Sequence, residues 1–506
     1  MQERGTTRAR GGRRVVRVTA TAVVLVCGLI ATGCFTPVPE VDDFSIVAAI
    51  QDGSIDIAWT PQPGADAGYE VEVRSQTGPW TFLGNVAGPS ATFADPIAPT
   101  VYWFRVRTAA GADAAAGEWS AQRSALYVEP TLPIVRIDTD GRAPVLDKDN
   151  YVSATMTLDP NGSEVEAYSG TLGIRGRGNT TWLQDKKPYR LKLDVKDDLM
   201  GMASHKDWAL LANAMDQSHL RTFAAAQLAG ATDLAWTPGY RHVEVILNGE
   251  YLGVYQLAEH VKVGGSRIDI DEMDEGDVAG EALTGGYLLE IDARLEENSE
   301  PGFRTPRSVP IVIKDPEPAT SEQFDYVRQF VSGFEDALYS PMFTDAVTGY
   351  RSYLDVGSFI DWYLVHELTR NQDAMWSSTY IHKPRGGLLT FGPMWDFDLS
   401  IGTDRAIEPS TALGWHVRRP GTPWVPRLFE DPAFAQQVVA RWDQLRATWA
   451  ELPDEIEALG AQLAPAVAHD QMRWNYVVGP PHRPSDVADW LRTRLHWIDT
   501  QFHPGG

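Results

Sequence analysis

Polar and apolar residues alternate over Ser54 to Trp59, Tyr69 to Val73, Trp80 to Leu83 and Tyr102 to Arg107, with turn residues at short intervals between the runs. Alternation of period two puts one face of each strand in a core and the other in solvent, so residues 40–128 read as a small β-sandwich. From Leu132 the pattern is mixed. Tyr189, Leu191 and Leu193 point one way from a strand while Arg190 and Lys192 point the other. His242 to Leu247 and Tyr251 to Leu257 flank Asn248-Gly249, the strongest local signal for a hairpin. Gly285 to Asp292 reads as a further buried strand, with Glu259 just past the end of the hairpin, placed either to hold a cation such as Lys192 or to be solvated.

Helical spacing appears in other stretches. Trp208 to Asp216 reads as helix-rich. The next helix is capped by Ser218 and buries Leu220, Phe223, Ala224 and Leu228. Arg221 in its first turn opposes the helix dipole and calls for a specific partner, for which Asp216 is the candidate. A further helix opens at Ser358 with Asp361 as its capping-box partner, carries Phe359, Trp362, Tyr363, Leu364 and Leu368, and stops near Asn371. Short β-prone runs at Thr379 to Ile381 and Leu388 to Thr390 surround Arg385-Gly386-Gly387 and predict a hairpin. Past Gly421 the chain is mainly helical. Phe434, Val438, Trp442 and Leu445 are spaced for one buried face, as are Trp490, Leu491, Leu495 and Ile498, and Pro480-Pro481 separates the two regions.

The start of the chain reads as an address. Arg4, Arg8, Arg10, Arg13, Arg14 and Arg17 lead into an apolar run from Val15 to Ile30, followed by Ala31-Thr32-Gly33-Cys34. The run is shorter than the roughly 20 residues of a membrane span, and the small residues before a cysteine form a lipobox, so Cys34 is expected to carry a lipid. Residues 1–34 are thus a signal with lipobox, and the expected location is the outer face of a bacterial cytoplasmic membrane. The chain has 2 cysteines, and Cys27 lies in the segment removed, so the mature protein has no disulfide. Processing removes six arginines and one glutamate, which takes the formal charge from −24 to −29. So acidic a surface argues against nucleic acid as a partner and makes any local basic cluster informative.

Two clusters carry the candidate chemistry. Gly173-Ile174-Arg175-Gly176-Arg177-Gly178-Asn179-Thr180-Thr181-Trp182 precedes Lys186 to Leu193, and a glycine-rich turn beside two cations on one strand face makes a phosphate clamp, or else a solvated basic face. It is neither a Walker loop nor a dinucleotide fingerprint. The second is acidic. Asp373 at one end of the predicted hairpin and Asp396 at the other can stand side by side, with Asp398 near, and carboxylates gathered without partners suit a hard divalent cation that shares the site with phosphates. A lone aspartate would instead cap a turn or pair with an arginine. His366-Glu367-Leu368-Thr369-Arg370 starts like a zinc-protease helix but has Arg370 at the second histidine position, and no Gly-x-Ser-x-Gly elbow occurs.

Taken together these motifs resemble a known family. Trp59 and Tyr102 resemble the core tryptophan and late tyrosine of fibronectin type III domains, over residues 35–130 as a spacer or binding module. RGRGNTTW with KKPYRLKL, LLANAMDQSHLR, VILNGEYLGVYQLAEHV, GGYLLEID, and NQD with WDFDLSIG are similar, in order, to the spore-coat protein H (CotH) kinase-like family. The resemblance implies a multidomain protein, a fibronectin type III-like β-sandwich followed at 131–506 by an α+β atypical protein-kinase-like domain with a helical C-terminal part. It further implies ATP, Mg²⁺ or Mn²⁺, and phosphorylation of serine or threonine on a protein acceptor. Asp373 would orient or deprotonate the acceptor hydroxyl, while Asp396, helped by Asp398 and Asn371, would bind metal. Arg175, Arg177, Asn179, Arg190, Lys192 and Glu259 would serve the nucleotide. Protein kinases place a metal-binding asparagine five residues after the catalytic aspartate. Here Ser378 stands there, so that Asn371 or Asp398 compensates or a single metal binds. A metal-dependent phosphoester hydrolase and a kinase-like surface adhesion protein are the alternatives.

Overall fold

The first strands follow the alternation. β1 (Val47–Gln51), β2 (Ser54–Ala58), β3 (Tyr69–Ser75), β4 (Thr81–Val86), β5 (Ser90–Ala94), β6 (Thr100–Thr108) and β7 (Arg123–Tyr127) make two sheets, ordered β1-β2-β5 and β4-β3-β6-β7. Ile55, Ile57, Val71, Phe104 and Val106 fill the space between them. Trp59 meets Tyr69 edge-on at 5.3 Å, and the Tyr102 hydroxyl accepts the Ile97 N–H at 2.9 Å, fixing the corner before β6. The computed structural model describes residues 46–51, 53–112, 114–405 and 411–505, so the signal segment and Cys34 lie outside it. Among the described residues no helix is long and apolar enough to cross a membrane.

Strands β8 (Ile134–Thr139), β9 (Val152–Asp159), β10 (Tyr168–Gly176), β11 (Tyr189–Asp197), β12 (His205–Leu211), β13 (Tyr240–Leu247) and β14 (Glu250–Glu259) close into a barrel in the order β10-β11-β12-β14-β13-β8-β9. Its interior is apolar, with Val135, Ile137, Leu172, Ile174, Leu191, Trp208, Leu210, Val243, Tyr255 and Leu257 in one cluster. The stretch read as helix from Trp208 is strand β12. It sits between β11 and β14, and a continuous apolar run cannot by periodicity alone distinguish a buried strand from a buried helix.

The sandwich and barrel share a core, because Ile134, Ile246 and Tyr251 belong to the sandwich cluster. The hairpin turn makes the contact, with Ile50 N–H donating to Gly249 O at 2.8 Å. Asn248 (φ 52) and Gly249 (φ 79) have the two positive φ values that a tight hairpin needs. The connecting chain is also held, since the buried Glu244 accepts from Thr131 N at 2.6 Å, Leu132 N at 2.9 Å and the Tyr251 hydroxyl at 2.5 Å. A Cβ on Gly249 would lie 2.3 Å from Ala49 Cβ. Gly249→Ala is therefore expected to cost about 1–3 kcal/mol, from positive φ and overpacking together, as read by denaturant unfolding. A neutral result would mean that the sandwich does not press on this turn.

Beyond the barrel, α1 (Arg221–Gly230) precedes β13, and the chain after β14 builds β15 (Tyr287–Ile291), β16 (Gly302–Arg304), β17 (Pro310–Asp315), α2 (Ser321–Tyr339), α3 (Val356–Thr369), β18 (Thr379–Lys383) and β19 (Thr390–Phe391). The strands form a sheet in the order β16-β17-β15-β18-β19, with β18 and β19 the predicted hairpin. Helices α4 (Val425–Leu428), α5 (Pro432–Trp449), α6 (Leu452–Trp474) and α7 (Pro484–Phe502) finish the chain, and one large apolar cluster joins this sheet to α1, α2, α3, α5, α6 and α7.

Two helix starts differ from expectation. α3 opens two residues before Ser358, with Asp355 accepting the Ser358 N–H at 3.2 Å, and Asp361 instead pairs with Arg441 at 2.6 Å. α1 starts at Arg221, and Asp216, not Ser218 alone, receives the N–H groups of Leu220 and Arg221. α2 carries a full capping box between Thr320 and Gln323.

Candidate functional site

A cavity of about 710 Å³ opens between the barrel and the second sheet. One side is basic, because the glycine-rich segment leaves β10 at Gly176 and returns into β11, bringing Arg175, Arg177, Asn179 and Arg190 to the wall. Arg177 stands 5.4 Å over the Trp395 ring. Burial pulls its guanidinium below the usual range against the attraction of Asp396, which places loop and carboxylate in each other's field. Arg190 pairs with Asp207 at 2.7 Å, and Arg175 packs its charge 5.0 Å from the Tyr151 ring. The Nε atoms of Arg175 and Arg190 are buried without a hydrogen-bond partner among the described residues.

The opposite side is acidic. Helix α3 ends with Arg370 in the left-handed conformation, and the turn that follows carries Asp373; the strand pair β18–β19 then brings the chain back to Asp396 and Asp398. Asp396 has a positive φ of 64°, uncommon for a residue with a Cβ, and its Oδ2 accepts the Ser378 hydroxyl at 3.0 Å. Burial and then the charge of Asp396 push the Asp373 carboxyl up to about 7, with Arg294 acting the other way. Burial, Asp396 and Asp373 likewise push Asp398 well above the carboxylate range. The two loops therefore converge on one place, where negative charges repel one another.

Asn371 does not line the cavity. Its Oδ1 accepts the Asp373 N–H at 3.1 Å and its Nδ2 donates to Asp396 O at 3.3 Å, so it staples the two acidic loops together and its amide is already used. Lys192 is exposed and outside the cavity, since the pleat that aims it like Arg190 also carries it two residues farther along β11. Glu259 is also outside. It accepts from Arg267 at 2.7 Å, Gly239 N at 2.8 Å and Ala203 N at 3.1 Å, and so seals the end of β14, with Arg267 as the cation it holds instead of Lys192.

Several wall residues were not singled out by the sequence. Lys148, on the loop between β8 and β9, donates to Asn179 Oδ1 at 3.2 Å and adds a cation to the basic side. Asp292, just beyond β15, accepts from the Ser377 hydroxyl at 2.8 Å and Arg294 N at 2.9 Å, and Arg294 reaches Ser377 Oγ at 2.8 Å, which holds that cation near Asp373. Glu290 is pushed to about 7 by burial, against the pull of Lys314. Two carboxylates, Glu290 within an apolar strand and Asp292 just past its end, are the available signal for this wall; Lys148, in an irregular loop, has none.

Two buried arginines brace the acidic loops. Arg221 pairs with Asp216 at 2.5 Å and donates to Ser400 O at 3.0 Å, Ile401 O at 3.2 Å and Pro481 O at 2.7 Å. Arg494 from α7 pairs with Glu367 at 2.7 Å, and Glu367 receives the backbone N–H of His416, whose ring lies 3.0 Å from Asn371 O.

Among the described residues no group of three or more His, Cys, Asp or Glu side chains is arranged to hold a metal ion by itself. Mg²⁺, however, is usually held by one or two carboxylates with phosphate oxygens completing the shell. Asp396 and Asp398 fit that requirement, because no ion pair with Lys or Arg satisfies either one among the described residues and their charges oppose each other.

A family model described as CotH kinase protein matches residues 174–498. No curated protein matches. Among solved structures, a crystal structure of chicken CNTN1 FN1–FN3 domains is similar at 15% identity, with 30% of this chain and 59% of that one covered and a TM-score of 0.15. The titin kinase with its flanking domains gives 10% identity, 37% and 42% coverage and a TM-score of 0.14. The C. elegans twitchin kinase region gives 11% identity, 46% and 41% coverage and a TM-score of 0.17. The chain spans less than two thirds of each, and at such TM-scores none bears on the fold.

Proposed function

The chain belongs to the CotH kinase protein family, and on that premise we propose that it is a secreted, lipid-anchored atypical protein kinase that transfers the γ-phosphate of ATP to serine or threonine of a protein acceptor. The barrel and the sheet-and-helix region serve as its two lobes. The observation that carries this reading is one cavity with Asp373, Asp396 and Asp398 on one wall and Lys148, Arg175, Arg177 and Arg190 on the other. Phosphoryl transfer needs little covalent chemistry from a protein, and what it does need is cations around the phosphates and an aligned nucleophile.

Arg175, Arg177, Asn179 and Lys148 bind phosphate oxygens, and Arg190, held by Asp207, sets the edge of that clamp. Asp373 accepts a hydrogen bond from the acceptor hydroxyl and takes its proton as the new P–O bond forms and the bond from the γ-phosphorus to the β–γ bridging oxygen breaks, with ADP as the leaving group; a carboxyl lifted towards neutrality suits a general base. Arg294, held near Asp373 by Ser377 and Asp292, opposes that lift by its charge. Asp396 and Asp398 would hold Mg²⁺ or Mn²⁺, which supplies charge for the phosphate tail. Ser378 fixes the Asp396 rotamer and is not itself needed as a ligand. The lipid at Cys34 would tether the catalytic unit outside the cell.

The test is to incubate the chain from residue 36 onwards with γ-labelled ATP, Mg²⁺ or Mn²⁺ and a serine-containing protein acceptor, and to map the product by mass spectrometry. Phosphoserine or phosphothreonine on the acceptor is expected. Phosphate released from a phosphoester without any acceptor would point to a hydrolase, and nucleotide binding without turnover to an adhesion protein. Lys148→Met should raise the KM for ATP about tenfold with little change in kcat, since a lost ground-state phosphate contact weakens binding. An unchanged KM would remove Lys148 from the site.

A further inference from the structure

The glycine-rich loop between β10 and β11 is tied down at both ends. At the first, Gly176 N–H donates to Asp147 O at 2.8 Å, and Arg177 N–H reaches Pro188 O at 3.2 Å. At the second, Lys186 turns its side chain into the protein, where it is 5% exposed, instead of towards the cavity. Its Nζ donates to Val254 O at 2.5 Å and to Asp470 Oδ1 at 2.6 Å, and it lies 4.8 Å from the Tyr255 ring. The next carbonyl, that of Lys187, accepts the Tyr255 hydroxyl at 3.0 Å. The loop thus enters β11 through a buried ammonium whose counter-charge comes from helix α6, 284 residues later.

Asp470 is built into that place. It is 1% exposed; Oδ1 also accepts the Val254 N–H at 2.8 Å, and Oδ2 accepts the Tyr476 hydroxyl at 2.8 Å and faces His219 at 3.7 Å. Gly253 (φ +92) leaves the room, for a Cβ there would stand 1.9 Å from Asp470 Oδ1. A buried ammonium without its carboxylate either sheds its proton or swings out to water. Either response moves the backbone on which the loop ends.

We infer that the Asp470–Lys186 pair is a positioning device for nucleotide binding, through which α6 sets where Arg177 and Asn179 stand in the cavity. Neither member touches the cavity, so both act through the loop. The nucleotide part of the inference rests on the reading of the cavity given above; the mechanical part does not.

The test compares the full chain with Asp470→Asn and with the double variant Lys186→Met/Asp470→Asn, which leaves no unpaired charge behind. Hydrogen exchange of the ligand-free proteins is followed over residues 177–187 and, as reference, over β12. Loop exchange is expected to rise about fivefold or more in both variants with β12 unchanged. ATP affinity with Mg²⁺ is expected to fall about tenfold, as a small misplacement of phosphate ligands implies, with kcat little altered. The double variant should regain the melting temperature lost by the single one without regaining ATP affinity. Loop exchange at the wild-type rate in the double variant, or ATP affinity returning together with the melting temperature, would overturn the inference. Because exchange is measured without ligand, a wild-type protein that binds no ATP would sink the kinase reading while the exchange result still decides this one.

Discussion

Asp396→Asn is expected to lower phosphoryl transfer by about a thousandfold or more, a loss of roughly 4 kcal/mol of transition-state stabilisation, without lowering the thermal stability of the free protein. The substitution is chosen to isolate charge. Asparagine tolerates the positive φ of 64° at this position better than alanine, and its amide can still accept the Ser378 hydroxyl. What it removes is the negative charge that pushes both Asp373 and Asp398 upward. Relief of that repulsion should leave the melting temperature unchanged or slightly raised, whereas the cation that neutralises the phosphates would lose its main protein ligand. Steady-state transfer and thermal melting on one preparation separate the two effects. A marked fall in stability would mean that Asp396 has a structural partner, and transfer near the wild-type rate would mean that the carboxylate is not a metal ligand.

Arg221→Ala is expected to cost about 3–5 kcal/mol, because it leaves the fully buried Asp216 without its counter-charge. The side chain also carries the carbonyls of Ser400 and Ile401, directly after the acidic loop, and of Pro481 before α7. Against a typical domain stability of about 5–15 kcal/mol that is a large fraction, and it corresponds to a fall of about 10 °C in a region of this size. Arg221→Lys keeps the charge but not the fork, and should recover only part of the loss. Activity should fall beyond what unfolding explains, since Asp398 sits two residues before the first carbonyl held. A variant as stable as the parent would show that the Asp216 carboxylate finds another partner.

What the sequence revealed and what it hid follow from the range of the forces involved. Local alternation and the Asn248-Gly249 turn specify β-strands by themselves, so the sandwich and the β13–β14 hairpin were legible. The β18–β19 pair was legible too, and with it the approach of Asp373 to Asp396. Asp216 as the partner of Arg221 could be read because a cation at a helix start is unfavourable without one. Trp208 to Leu211 reads as helix from the sequence but is strand, since a strand buried on both faces shows no period to tell the two apart. Closure of seven strands into a barrel depends on pairings such as β8 with β13, far apart in the chain. Pleat, strand end and resemblance together point Lys192 and Glu259 at the site, but the tertiary structure leaves Lys192 in solvent and gives Glu259 to Arg267. Asn371, expected to compensate as a metal ligand for Ser378, instead has both ends of its amide bonded to the backbone.

The central proposal is that Asp396 and Asp398, brought to the cavity wall beside Asp373, hold one cation that grips the phosphates of ATP. Titration of Mn²⁺ into the protein with a non-hydrolysable ATP analogue, followed by electron paramagnetic resonance, tests it directly. Tight, nucleotide-dependent Mn²⁺ binding is expected in the parent, strongly weakened in Asp396→Asn and altered in Asp373→Asn. Equal Mn²⁺ binding by all three proteins would contradict the account.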